Sequence, residues 1–167
     1  MKYGTLCYLS VSNEVLMLQK PKRENDPNSE MFTIPGGKLK PNEALDPDGI
    51  LKSCYREVKE ETGLYVLEPR FAGTVLFDNS EKIFRRWKNP EDYYVFIFTA
   101  NNFNGNLIEE SDEGIPQWIR ENDINNLPKN AGDMRLYEWI RSRRRFAGVI
   151  KHKGIELDEE GTFVEYF

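Results

Sequence analysis

The sequence predicts an α/β fold: an α/β/α sandwich, with helices packed on a mixed β-sheet. Three observations carry this. Short β-rich runs recur along the whole chain, the longest being Tyr93–Ala100, YYVFIFTA, which reads as a central strand. A long helix is expected from about Pro47 to Thr62, and a second amphipathic one over Asp133–Arg145, with Leu136, Tyr137, Ile140 and Arg144 at helical spacing. The length of 167 residues is that of one domain, 1–167, with a real core, and 39% hydrophobic against 31% charged residues is ordinary for a globular protein.

In chain order, Thr5–Ser10 and Glu14–Gln19 read as strands around a turn at Ser12-Asn13. The polar run 20–30, with two prolines, is a loop, and Met31–Ile34 is a short strand entering Pro35-Gly36-Gly37. Asp46 then Pro47 suits an N-cap and first helical position. After the first helix, Tyr65–Leu67 and Arg70–Asp78 are strand-like, with a turn at Asp78-Asn79-Ser80 and a further strand over Lys82–Lys88. Asn102–Asn106 is a turn, Pro116–Ile119 a strand, and Ile124–Pro128 a short helical turn. Phe146–Ile150 and Gly161–Phe167 close the chain as a hairpin, with His152 an exposed strand residue.

The chemistry is concentrated in Gly36–Leu64. In the helix, Glu57, Glu60 and Glu61 stand at i, i+3 and i+4, so three carboxylates share one edge. Their repulsion needs an offset, and a hard divalent cation with oxygen ligands supplies one; the alternative is a solvated acidic face. Leu51, Tyr55, Val58 and Thr62 form a neighbouring, mostly apolar stripe. Arg56 is one turn from Glu60, where it can pair with and aim a carboxylate. Gly63 sits at the C-cap, and Gly36-Gly37 lets the backbone approach whatever the carboxylates hold.

Gly37-x5-Glu43, followed by Arg56-Glu57-Val58-Lys59-Glu60-Glu61-Thr62-Gly63-Leu64, resembles the Nudix box. Nine consecutive positions agree with its second half. Twelve residues, where the box has seven, separate Glu43 from Arg56. The extra five fall near Asp46–Gly49 and read as an added turn or loop, and a second alignment puts Asp48 in place of the box's first Glu. The resemblance implies the Nudix fold and Mg2+-dependent hydrolysis of a diphosphate bridge, with Mn2+ as an alternative ion. Further segments, Glu110–Glu113, Trp118, Leu127-Pro128, Gly132-Asp133 and Arg145–Val149, resemble the MutT-type oxidised-purine nucleoside triphosphate diphosphatases, which act on 8-oxo-dGTP.

Carried over residue by residue, the resemblance implies metal ligation by the Gly36 or Gly37 carbonyl, Glu57, Glu60, Glu61 and Glu110. It implies proton transfer by Glu57, Glu60 or Glu110, aided by Arg56. Thr5, Lys20, Thr33 and Asp133 fall where that subfamily contacts the nucleotide, and Gly36, Gly37 and Lys38 border it. The subfamily's pocket Asn is Thr33 here, and its stacking Trp corresponds to Asn130. Another diphosphate (an RNA 5′ end, a dinucleoside polyphosphate, a sugar nucleotide) is the second enzyme reading. A non-catalytic Nudix-like module is expected to lose box carboxylates, and all three helix glutamates are present.

The net charge of −5 argues against a stable nucleic-acid partner and leaves a nucleotide substrate. No apolar run reaches membrane-spanning length, and no signal-like segment opens the sequence. Cys7 and Cys54 both lie in apolar patterns and read as reduced core thiols, which suits the cytoplasm. Arg141–Arg145 reads as a basic helix end favoured by the helix dipole. Phe84, Trp87 and Trp139 read as packing aromatics.

Overall fold

A computed structural model of the chain describes residues 1–81 and 91–167. The first two strands, β1 (Lys2–Val11) and β2 (Glu14–Gln19), form a hairpin. Ser12 and Asn13 between them both take positive φ, 52° and 63°, the turn whose twist matches that of the strands. Then come β3 (Phe32–Thr33), β4 (Gly36–Lys38), α1 (Pro41–Ala44) and α2 (Gly49–Thr62). They are followed by β5 (Tyr65–Val66), β6 (Arg70–Glu81), β7 (Tyr93–Ala100), β8 (Phe103–Asn104) and β9 (Ile115–Arg120). A 3₁₀ helix at Glu121–Asn126 leads to α3 (Asp133–Arg141), β10 (Phe146–Lys153), β11 (Glu156–Leu157) and β12 (Phe163–Tyr166).

The main sheet of the described residues runs β11-β10-β6-β7-β1-β2-β3, with β12 beside β10, β4 beside β1 and β9 beside β2. It is mixed: β1 with β7 and β6 with β10 are parallel, the remaining pairs antiparallel. Strand alternation sends side chains to two cores. Cys7, Leu9, Leu16 and Phe98 pack with Cys54 and Val58 of α2 on one face. Tyr8, Val15, Met17 and Ile97 pack with Leu136, Tyr137 and Ile140 of α3 on the other. A helix therefore covers each face, giving the α/β/α layers that the sequence predicts. Val58 is fully buried, and burial of such a side chain contributes about 1.5–3 kcal/mol.

Several local expectations change. The first long helix begins at Gly49, not near Pro47. The inserted residues instead form a return loop after α1, in which Asp46 binds Lys52 and the Asp48 N–H. The buried stripe of α2 runs through Cys54, Val58 and Thr62 at i, i+4, i+8, which turns Tyr55 outward to 40% exposure. β6 continues through Asp78–Ser80 because β10 keeps pairing as far as Lys153 opposite Glu81. Helix α3 stops at Arg141; Arg143 takes a φ of 57°, which a helix cannot continue through. Arg144, placed on the helical stripe by its spacing, lies beyond that end and stacks on Tyr166. The Asn102–Asn106 turn contains β8, which pairs with β5.

His152 is buried, not exposed, at 4%. It lies on the face of β10 that carries Ile150, and both are packed against Gly132. Trp139 is a core residue, and Cys7 and Cys54 are buried free thiols. The expected strand over Lys82–Lys88, with Phe84 and Trp87, lies outside the described residues. Among the described residues, no helix is long and apolar enough to cross a membrane.

Candidate active site

Arg56 is the hub of the carboxylate edge. Its Nε and Nη2 donate to the two oxygens of Glu43, at 2.6 and 2.8 Å, a bidentate pair. Its Nη1 donates to Glu57 Oε1 at 2.6 Å and Glu60 Oε2 at 3.1 Å, and Nη2 also reaches the Lys38 carbonyl. Glu43 is buried, and its Oε2 also accepts the Lys40 N–H at 2.7 Å. The guanidinium, then the Lys40 N–H, hold the Glu43 carboxyl down to about 2, and Glu43 in turn raises the Arg56 pKa. These bonds give the box's first acidic position to Glu43 rather than Asp48. α1 does this work: it folds back over the start of α2 and brings Glu43 onto Arg56, thirteen residues later.

Gly37 and Glu57 are in closest approach. A Cβ on Gly37 would lie 2.5 Å from Glu57 Oε2 and 2.6 Å from its Cδ, so only glycine leaves the carboxylate its place. Burial raises the Glu57 pKa, against the pull of Arg56. Glu61 is more deeply set, 3% exposed, with Oε2 accepting the Gly36 N–H at 2.8 Å. Burial pushes its carboxyl up to about 8; the Gly36 N–H and the Lys20 charge oppose this, while Glu57 and Glu113 add to it. Glu60 is half-exposed and draws Lys40 to 3.8 Å as well as Arg56.

The carboxylate and carbonyl oxygens of this edge are donors of the type a hard divalent cation takes. Glu61 is a buried carboxyl beside a second raised one, and a cation is what would favour its ionised form. Among the described residues no three acidic side chains converge on one point: Arg56 holds Glu57 and Glu60, and Gly36 holds Glu61.

The structure gathers Gly36, Gly37, Arg56, Glu57, Glu60 and Glu61 at one edge. Lys38 borders it through its carbonyl, with its ammonium near the Tyr93 ring. Lys20 joins from the end of β2, paired with Glu113 at 3.0 Å. Glu110 is exposed and lines an open cleft of about 500 Å³ with Pro21, Lys22, Arg23, Ser111 and Asp112. The carboxylate of that loop whose charge bears on Glu61 is Glu113, a residue that the sequence reading passed over. Spacing within an acidic loop gives no signal to separate the two.

Of the remaining nucleotide-contact candidates, Thr5 backs this edge as the strand partner of Gly37, while Thr33 and Asp133 belong to other elements. Thr5 is buried beneath α2, its hydroxyl 3.4 Å from Ser53 Oγ. Thr33 lies opposite Leu18 in the β2–β3 pair, and its hydroxyl donates to the Ile34 carbonyl. Asp133 opens α3 on the other face of the sheet. Lys129 leads into it, its ammonium donating to the carbonyls of Ile124, Asn125 and Leu127.

Comparison with known proteins agrees with this geometry. The NUDIX domain family matches residues 2–140. The uncharacterized Nudix hydrolase YvcI of Bacillus subtilis is 33% identical over 138 residues, covering 81% of this chain and 77% of that one. The oxidized purine nucleoside triphosphate hydrolase of Danio rerio is 30% identical over 125 residues, 73% of this chain and 70% of the relative. The crystal structure of a MutT protein from Bacillus halodurans superposes with a TM-score of 0.76 at 26% identity, over 99% of this chain and 97% of the other. With the Arg56 clamp and the glutamate edge in place, the chain belongs to the Nudix family, as a hydrolase of phosphoric anhydrides.

Proposed function

We propose that the protein, acting as a single domain, hydrolyses nucleoside triphosphates to the monophosphate and pyrophosphate with Mg2+, and that its preferred substrates are oxidised purine nucleotides such as 8-oxo-dGTP. The observation that carries the hydrolytic part is the seating of Glu57 against Gly37 under the Arg56–Glu43 clamp. The likeness to the zebrafish relative supports the substrate.

In this reading Glu57, Glu60, Glu61, Glu110 and the Gly37 carbonyl would hold the cations, which would supply neutralisation of the polyphosphate and a more acidic water. Glu57 or Glu60 accepts the proton of the water that attacks a phosphorus of the bridge. Arg56 is a positioning residue, anchored by Glu43 so that its third nitrogen orients Glu57 and Glu60. Lys20 and Lys38 offer cations to the phosphates, and Asp133 contributes to the base side. Thr5 and Thr33 serve as wall residues, because their hydroxyls are turned to Ser53 and to the adjacent backbone.

A panel of 8-oxo-dGTP, dGTP, dATP, ADP-ribose and a dinucleoside polyphosphate, assayed with Mg2+ for pyrophosphate against phosphate release, tests this. Pyrophosphate release fastest from the oxidised purine, abolished by EDTA, is the expected result. Turnover confined to ADP-ribose, or undiminished in excess chelator, refutes it.

A further inference from the structure

Cys7 and Cys54 are the only cysteines of the chain, and the fold sets them against each other. Cys7 lies on β1 and Cys54 on α2, both 1% exposed in the core beneath that helix. A hydrogen bond between the two thiols, then burial, raise the Cys7 pKa. On the same two elements, the Thr5 and Ser53 hydroxyls meet at 3.4 Å. The side chains facing one another here are small on both sides, so helix and strand approach closely. The other members of this core, among them Leu9, Leu16, Val58 and Phe98, carry no reactive group. The reactive neighbour of each thiol is therefore the other.

Both ends of this contact lead to the Glu57 seat. Cys54 stands one turn of α2 before Glu57. The Cys7 N–H donates to the Pro35 carbonyl at 2.9 Å, and Leu6 and Thr5 pair with Gly36 and Gly37. β1 thus holds the Gly37 side of the seat, and α2 holds the Glu57 side. The seat has no slack, since even a methyl group on Gly37 would meet Glu57 Oε2 at 2.5 Å. A disulfide would draw the sulfurs from hydrogen-bond contact to covalent length, about 2.05 Å, and the backbones that carry them must follow.

We infer that Cys7 and Cys54 form a reversible disulfide that shuts the hydrolytic site under oxidising conditions. The oxidant is hydrogen peroxide. One thiol sulfur attacks a peroxide oxygen, the O–O bond breaks, and a sulfenic acid and water result. The second thiol attacks that sulfur, the S–O bond breaks, and another water leaves. In all, two thiols lose two electrons and one peroxide is reduced to two waters. Burial sets the pace: peroxide reaches the sulfurs only when α2 opens locally from the sheet, so the switch answers sustained oxidant. The sulfenic acid forms beside the second thiol, which favours the disulfide over further oxidation. The inference rests on the Glu57 seat being needed for hydrolysis.

The test treats the full chain with hydrogen peroxide and then unfolds it in an alkylating agent. Neither cysteine should take up label, and the intact mass should fall by the two thiol hydrogens. Hydrolysis with Mg2+, read on the nucleotide that the reduced protein turns over fastest, should fall about 100-fold, the cost of a misplacement near 1 Å. Dithiothreitol, itself oxidised to its cyclic disulfide, should restore both thiols and the rate. Cys54→Ala and Cys7→Ala should each keep the reduced rate and lose the response to peroxide. The mass readout on the unmodified chain needs no variant to fold. Two alkylated cysteines after treatment, an internal disulfide that leaves the rate unchanged, or inhibition that persists in the alanine variants overturns the assignment. The rate of the reduced protein alone tests the hydrolase reading, so the two can fail apart.

Discussion

Substituting Gly37 by Ala isolates the seating of Glu57 from the integrity of the fold. The added Cβ would lie 2.5 Å from Glu57 Oε2, where ordinary contact begins at 3.4 Å, so the carboxylate must retreat by about 0.9 Å. Misplacing a reacting group by about 1 Å costs roughly 100-fold in rate. The atoms in the way belong to the end of a flexible side chain, and the Gly37 carbonyl is retained. Gly→Ala at a compatible backbone is neutral or stabilising by about 0.4–1 kcal/mol. Gly37→Ala is therefore expected to lose about 100-fold in kcat with no fall in Tm. Gly36→Ala is the control: its Cβ would overlap the Thr5 carbonyl and come within 2.8 Å of Leu6 Cα, both backbone of β1. Overpacking of that kind costs about 1–3 kcal/mol, so Gly36→Ala should lower Tm. Steady-state kinetics with Mg2+ and thermal denaturation of both variants decide it. Full kcat in Gly37→Ala, or a rate loss that tracks unfolding, refutes the seating of Glu57 as the cause.

Three further outcomes follow, two from the same site and one from the base side. Glu43 is held at about 2 by Arg56, below its ordinary 4.5; its ionised form stabilises the fold above pH about 4.5, and that gain is lost as pH falls toward 2. Glu43→Gln should flatten this part of the acid unfolding curve, and an unchanged curve removes the clamp's share. Burial keeps Glu61 protonated up to pH about 8, so Mg2+ binding at pH 7 should release a proton. Calorimetric heats that do not vary with buffer ionisation enthalpy count against that; Glu61→Gln should abolish the release and lower kcat by orders of magnitude. Asp133→Ala should raise KM for the preferred purine triphosphate more than it lowers kcat, and an unchanged base preference would place selectivity elsewhere.

The carboxylate edge was legible because helical spacing is rigid. Once Arg56 through Leu64 is a helix, the relation of Glu57, Glu60 and Glu61 follows from 3.6 residues per turn. The hairpin at Ser12-Asn13 and the central strand β7 were legible for the same local reason. What sequence could not settle depends on partners far along the chain. Asp78–Ser80 has the composition of a turn, yet parallel pairing with β10 keeps it in a strand. His152 sits between two lysines, and only the packing of Gly132 onto β10 buries it. Tyr55 and Cys54 compete for one side of α2, and the sheet beneath selects the smaller residue. Whether Glu43 or Asp48 meets Arg56 turns on how α1 folds back, a choice that no periodicity encodes.

The family match stops at residue 140, but the sheet does not. β10 pairs in parallel with β6 from Phe146 opposite Gly73 to Lys153 opposite Glu81, and carries β11 and β12 on its other side. A chain cut at the family boundary would leave β6, twelve residues long, as a bare edge with unmet N–H and C=O groups. Such an edge templates strand addition from another copy, so an expression fragment ending at residue 140 should aggregate where the full chain does not. The same exposure exists transiently during synthesis, since β6 emerges from the ribosome well before β10. The C-terminal strands thus act as an internal guard on the enzyme's own sheet.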